Sequence, residues 1–325
     1  MSGKQHHYVP RFVLKNFTRG KTPSIWVYDK ATDKTFQTNI KNVAAERGFY
    51  DLEMDEGVLT IEPHLADLET RTSSIIQALS HDRNLAKVDV PSRASLALFL
   101  AVQFLRTKEY RLRFEHLGRL LTQTLQERGV REGDIRKLVQ EPKEAEGGKL
   151  IGIKSLLGAR QLVPHVLNKA WVLFEAKRET PLYISDNPIT LHNEINHGPY
   201  GNLGLAVKGI EIYLPISTTL CLGLLCPSIA AEYQKAYRNL QLLDQSTPGL
   251  ADTMMNRPQE ARAFCEGLVN GTPIPLVEDY VTMLNSLQVM YSSRFVYCES
   301  DSFALVKRMI SDNAKYREGL KPTVS

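Results

Sequence analysis

The order of patterns along the chain predicts an α+β fold, with a helical N-terminal half packed on a mainly antiparallel sheet with flanking helices. Three observations carry this expectation. Two long stretches, 61–80 and 91–121, repeat apolar residues at helical spacing. Beyond residue 168 the character changes, and KAWVLFEAK (169–177), PLYISD (181–186), GIEIYLPIS (209–217) and TTLCLGLLC (218–226) read as strands. Helices and strands come in groups and do not alternate one by one, which argues against a parallel α/β sheet.

Taken in order, HHYVPRFVLKNF (6–17) is extended up to Pro10, because the residue before a proline is pushed out of the helical region. Pro10 then opens a helix anchored by Phe12, Val13, Leu14 and Phe17. SIWVYDK (24–30) and KTFQTN (34–39) read as a hairpin. NVAAERGFYDLE (42–53) reads as a short helical stretch ended by Gly48. IEPHLADLETRTSSIIQALS (61–80) is an amphipathic helix whose Pro63 is tolerated in its first turn. PSRASLALFLAVQFLRTKEYR opens a second helix, predicted to run to Leu121. Residues 127–150 are charged and Gly-rich, the composition of a surface insertion. After the strands, helices are predicted over 229–243 and 276–290, then a strand over 293–300 and a helix over 301–310. We expect a single domain over 1–325.

Composition bounds the function. The hydrophobic share of 43% and charged share of 23% are those of a globular protein. A net charge of +4 permits nucleic acid as a partner without demanding it. The four cysteines form no C-x-x-C pair, which argues against structural zinc and suits buried thiols in a reducing compartment. The N-terminus lacks the apolar core of a secretory signal, and no apolar run approaches the roughly 20 residues that span a bilayer. A cytoplasmic protein without a membrane partner is expected. No Walker A loop, G-x-G-x-x-G, G-x-S-x-G or H-E-x-x-H motif is present.

Several polar residues stand where apolar ones belong. Glu62 and Glu69, seven positions apart, lie within about 20° of each other on a helix. Both border the apolar stripe, while Asp67 and Arg71 point away from it. Paired carboxylates beside a buried face repel unless a cation, a proton or a metal lies between them. On the second helix, Gln103 falls inside the inner face and Arg106 and Tyr110 on its flank. An unpaired buried Arg costs several kcal/mol, so Glu62 or Glu69 is expected to meet Gln103 and Arg106 across the helix contact. Such a contact is either a structural ion pair or the floor of a site. At 181–190, PLYISDNPIT runs an apolar strand into Ser185, Asp186, Asn187 and Pro188, a turn former or a mount for functional side chains. In the opening segment His6 and His7 face opposite sides of an extended chain, so one of them joins Tyr8 or Val9 on a given face.

These landmarks together (HHYVPRFVLKNF, NVAAERGFYDLE, IEPHLADLE, LALFLAVQFLRT and PLYISDNPIT) resemble the domain of unknown function 4238 family, from about residue 5 to 300. The resemblance implies positions to watch, namely His7, Tyr8, Pro10, Ser185, Asp186, Asn187 and Pro188. It supplies no reaction. By analogy, the accessory character of such families suits bacterial defence.

Two functions fit these residues. The first is a metal-assisted nuclease or phosphodiesterase. His7 or His6 would be the general acid or base, Glu62, Glu69 and Asp186 a carboxylate cluster able to hold Mg²⁺, and Arg106 the stabiliser of transition-state charge. Tyr8, Gln103, Ser185 and Asn187 would bind and orient, with nucleic acid as substrate. The second is a non-enzymatic protein- or ligand-binding module built around a structural ion-pair network.

Overall fold

The computed structural model describes residues 4–20, 22–54, 57–134, 144–195, 204–250, 253 and 257–319. The architecture is α+β with antiparallel sheets. Strand β1 (Gln5–His7) leads through Pro10 into helix α1 (Arg11–Lys15), whose first turn closes when Val13 and Leu14 donate to the Pro10 carbonyl. Strands β2 (Ser24–Asp29) and β3 (Lys34–Asn39) form the expected antiparallel hairpin.

The stretch 42–53 is not the short helix its sequence suggests. Asn39 caps a single 3₁₀ turn over Ile40–Asn42, Ala44 adopts φ 51°, and β4 (Ala45–Arg47) pairs antiparallel with β1, setting His6 opposite Glu46. Gly48, at φ 58°, then turns the chain into β5 (Asp51–Met54), which pairs with β6 (Gly57–Thr60). Pairing with the opening strand gives these backbone groups partners that local helical preference would have to outbid.

Helix α2 (Glu62–Asp82) buries Leu65, Leu68, Thr72, Ile76 and Leu79 and stops at Arg83, which is left-handed at φ 51°. Each fully buried Leu or Ile contributes about 1.5–3 kcal/mol. The predicted helix over 91–121 is two helices, α3 (Val90–Leu105) and α4 (Lys108–Glu127). Thr107 breaks them apart, its hydroxyl accepting from the Tyr110 N–H as an N-cap. Arg106 therefore sits at a helix end, not on a continuous flank. The surface insertion expected at 127–150 falls partly at 135–143, outside the described residues, and helix Glu144–Leu157 takes up its end.

The five-stranded sheet has the order β12–β7–β11–β10–β9, built from Pro273–Pro275 (β12), Ala170–Glu175 (β7), Leu220–Leu225 (β11), Glu211–Pro215 (β10) and Thr190–His192 (β9). Its pairs are antiparallel except β12 with β7. The four-stranded sheet β3–β2–β13–β8 joins the opening hairpin to β13 (Phe295–Cys298) and the two-residue β8 (Ile184–Ser185). The N-terminal part is thus not purely helical. The later helices Pro227–Ser246, Glu278–Tyr291 and Ala304–Asp312 stand where expected, whereas Pro258–Asn270 went unread.

One apolar core runs from Val9, Leu14 and Phe17 through Leu68, Ile76 and Phe99 to Val172 and Leu222. A smaller core holds Tyr28, Tyr183, Val296 and Phe303. All four cysteines are buried and free. Among the described residues no helix is long and apolar enough to cross a membrane.

Candidate functional site

The opening motif contributes backbone as much as side chains. Once β1 ends, the His7 and Tyr8 carbonyls face the break between α3 and α4. Arg106 fills that break and is 1% exposed. Its Nε donates to the Tyr8 carbonyl at 3.2 Å, and its Nη2 donates both to the His7 carbonyl at 2.8 Å and to Glu69 Oε1 at 2.7 Å. Gln103 Nε2 donates to the same Tyr8 carbonyl at 2.9 Å. The expected meeting of a carboxylate with Arg106 is therefore made by Glu69, while Gln103 turns to the main chain. Three buried polar atoms here lack a protein partner: Arg106 Nη1, Gln103 Oε1 and His7 Nε2.

His6 is buried and His7 is half-buried, so the two rings do take opposite sides. His6 Nδ1 accepts from the Tyr50 N–H at 3.2 Å, its ring stacks on Tyr50 at 5.6 Å, and its Nε2 lies 3.8 Å from Asp51 Oδ1. With Nδ1 accepting, a neutral His6 carries its proton on Nε2, facing Asp51. Burial lowers the His7 pKa below the usual imidazole range, and the Arg11 cation lowers it further; the Ile40 backbone and Glu69 oppose that shift.

Glu62 borders the same group. Burial raises its carboxyl above the ordinary glutamate value and the Glu69 charge adds to this, while the charges of His6 and Arg106 pull the other way. Burial likewise pushes the Tyr50 phenol up to about 12. Glu69 is the accessible member of its ion pair, with 27% of its side chain exposed. His6, Asp51, Glu62, Glu69 and Arg106 thus form one cluster, sealed at Arg106 and open at its carboxylate rim.

The SDNP turn does not join it. Asp186 is 1% exposed, and its carboxylate accepts from the Ser293 N–H (2.8 Å), Ser293 Oγ–H (2.8 Å), Arg294 N–H (2.9 Å) and Phe295 N–H (2.9 Å). Burial raises its pKa, opposed by these donors and by the Lys30 charge. Ser185 Oγ donates to Gln288 Oε1 and to the Asn187 carbonyl. Asn187 Nδ2 donates to the Tyr291 carbonyl, and Gln288 Nε2 to the Pro188 carbonyl. These bonds tie the turn to helix Glu278–Tyr291 and to the start of β13. Among the described residues Asp186 acts on the opening motif through its charge, which after burial is the second influence raising the Tyr8 phenol. The expected set of Glu62, Glu69 and Asp186 around one metal is not formed. Among the described residues no group of three or more His, Cys, Asp or Glu side chains is placed to hold a metal ion. The reason is that Asp186 spends its lone pairs on the β13 turn.

Sequence reading missed Asp51, Tyr50 and Arg111. The first two lie just past Gly48, in the stretch misread as helical. Arg111 lies one turn beyond the unread break at Thr107, with its guanidinium 3.5 Å from the centre of the Phe49 ring. A Gly followed by two aromatics and an Asp was the available signal, but it gains meaning only once β4 is paired with β1.

The family model described as "Protein of unknown function (DUF4238)" matches residues 5–302. Neither curated proteins nor solved structures yield a match.

Proposed function

The chain belongs to this DUF4238 family of unknown function, and from that premise we propose that the His6–Asp51–Glu62–Glu69–Arg106 cluster is an acid–base site for hydrolysing phosphodiesters, with nucleic acid as the substrate class. The observation that carries the reading is a carboxyl raised by burial, Glu62, set beside a second, accessible carboxylate, Glu69, that is fixed by a sealed guanidinium. Two carboxyl groups in unequal surroundings are how one site supplies both an acid and a base. In this scheme Glu69 takes a proton from the attacking water as its oxygen bonds to phosphorus. Glu62 gives a proton to the leaving oxygen as the old P–O bond breaks. Arg106 holds Glu69 in place, and the His6–Asp51 pair holds the wall formed by Tyr50. Two carboxylates plus a substrate phosphate are also a complement that Mg²⁺ ordinarily takes, so the assay is run with and without Mg²⁺. Four buried free cysteines suit a reducing, cytoplasmic setting for this activity.

The test is incubation with single- and double-stranded DNA and RNA, comparing wild type with Glu62→Gln and Glu69→Gln. Loss of one acid–base group lowers the rate by about 10²–10⁴-fold. Cleavage unchanged in both variants moves the chemistry elsewhere, and no cleavage by folded wild type under any of these conditions rejects a nuclease.

A second reading, a ligand-binding module, is favoured by one observation: Arg106 is sealed and bonded chiefly to backbone carbonyls, as a structural residue would be. Retained binding of nucleic acid with no turnover would select it.

A further inference from the structure

A narrow recess is lined by Phe49, Tyr50, Arg106, Arg111, Lys149 and Gly152 among others. Three of these side chains are cations, and none of the described lining residues is acidic. The Arg106 guanidinium has Nε and Nη2 engaged, leaving Nη1 buried with no protein partner. A buried donor without an acceptor costs about 1–3 kcal/mol unless something fills the gap. Arg111 sits over the Phe49 ring, 3.5 Å from its centre, and donates to the Phe49 carbonyl at 3.3 Å, which fixes its position at the wall. Lys149 comes from the helix Glu144–Leu157 and is half-buried. The free volume is about 10 Å³, room for one water or one oxygen atom of a larger group.

We propose that this recess is an anion subsite that receives one non-bridging oxygen of a phosphate group, with Arg106 at its floor and Arg111 and Lys149 at its walls. Planar guanidinium groups suit phosphate oxygens, and a lysine adds a point charge. The size of the recess sets the geometry: one oxygen enters and the rest of the phosphate stays at the mouth. Gly152 is part of the design. A Cβ there would stand 3.1 Å from Arg111 Cγ and 3.2 Å from Cδ, so alanine requires the Arg111 stem to give by a few tenths of an ångström. The subsite rests on the phosphodiester reading above for its substrate class and gives that reading a place for the substrate's charge.

The test is isothermal titration of the full chain with inorganic phosphate at constant ionic strength, with chloride as control. A second arm uses a short phosphodiester oligothymidylate and its uncharged methylphosphonate analogue. Wild type should bind phosphate saturably. Lys149→Gln should weaken binding roughly tenfold, the loss of one charge-assisted contact. Gly152→Ala, which keeps every charge, should weaken it as well, and thermal melts of both variants check that they remain folded. The methylphosphonate analogue should bind more weakly than the phosphodiester by a similar factor. No saturable phosphate binding by wild type, equal affinity in both variants, or equal binding of the neutral analogue overturns the subsite. Binding is read without turnover, so the two proposals fail separately. Absence of cleavage with phosphate binding intact rejects only the nuclease. Cleavage without phosphate binding rejects only the subsite.

Discussion

The two polar clusters of this protein are alike in burial and opposite in completeness. Around the SDNP turn each carboxylate oxygen of Asp186 has a donor, and Ser185, Asn187 and Gln288 are joined in a chain of hydrogen bonds. Around the opening motif, Arg106, Gln103 and His7 each keep one buried polar atom without a protein partner, and the carboxylates at the rim reach solvent. A saturated network holds segments together and has nothing left to offer a ligand. An unsaturated one at an accessible edge carries an energetic debt that a ligand or water can settle. The contrast marks one cluster as architecture and leaves the other with unmet hydrogen-bonding capacity, although both looked equally promising as strings of polar letters.

Several changes would break or sharpen this contrast. The largest effect is expected for Arg106→Met, which strips the His7 and Tyr8 carbonyls and Glu69 of their shared cation. Urea denaturation should show a loss of about 3–5 kcal/mol, and a loss below about 1 would mean that this cluster is not braced by Arg106. Next comes Lys30, which is fully buried and donates to the Val289 and Ser292 carbonyls beside the SDNP network. Burial pushes its pKa down to about 8. Between about pH 8 and the ordinary lysine value near 10.4 the unfolded chain holds a proton that the folded one has released, so stability rises with pH across that window. The gain is on the order of 3 kcal/mol. Lys30→Met should flatten that rise, measured as stability against pH beside wild type, and an unchanged slope would contradict the assignment.

Asp186→Asn replaces an acceptor of several N–H and O–H groups by an amide that presents donors to some of them. A cost of about 2 kcal/mol is expected, with the cleavage rate of the folded fraction unchanged; a catalytic loss at full stability would overturn the structural role. Glu69→Gln ends the series: the amide oxygen can still accept from Arg106 Nη2, but the sealed guanidinium loses its paired charge. About 1–2 kcal/mol should be lost, and activity should fall steeply. A large stability loss without loss of rate would invert the comparison.

Much of this was legible in advance because it depends on neighbours along the chain. The stripe of α2, the hairpin β2–β3 and the apolar strands β7, β10 and β11 each advertise their period within ten or twenty residues. So did the border positions of Glu62 and Glu69, and the rule that a buried guanidinium finds a carboxylate. Other features were hidden for equally physical reasons. The break at Thr107 is one hydroxyl competing with a helical turn inside an apolar pattern that otherwise continues. The strand at Ala45–Arg47 exists because β1 lies beside it, and nothing local says so.

By itself the sequence determined which groups would be buried against their nature: an arginine and a glutamine on an apolar helix face, two glutamates at its border, an aspartate at a strand end. Helical and extended periods are local geometry, and they decide which side each residue faces. Only the tertiary structure decided which partners those groups met. Arg106 found two main-chain carbonyls from the opening strand as well as Glu69, and Asp186 found the backbone of a turn more than a hundred positions away. Partnership across such distances is set by how whole elements pack, and a hydrogen bond forms with whatever acceptor that packing delivers.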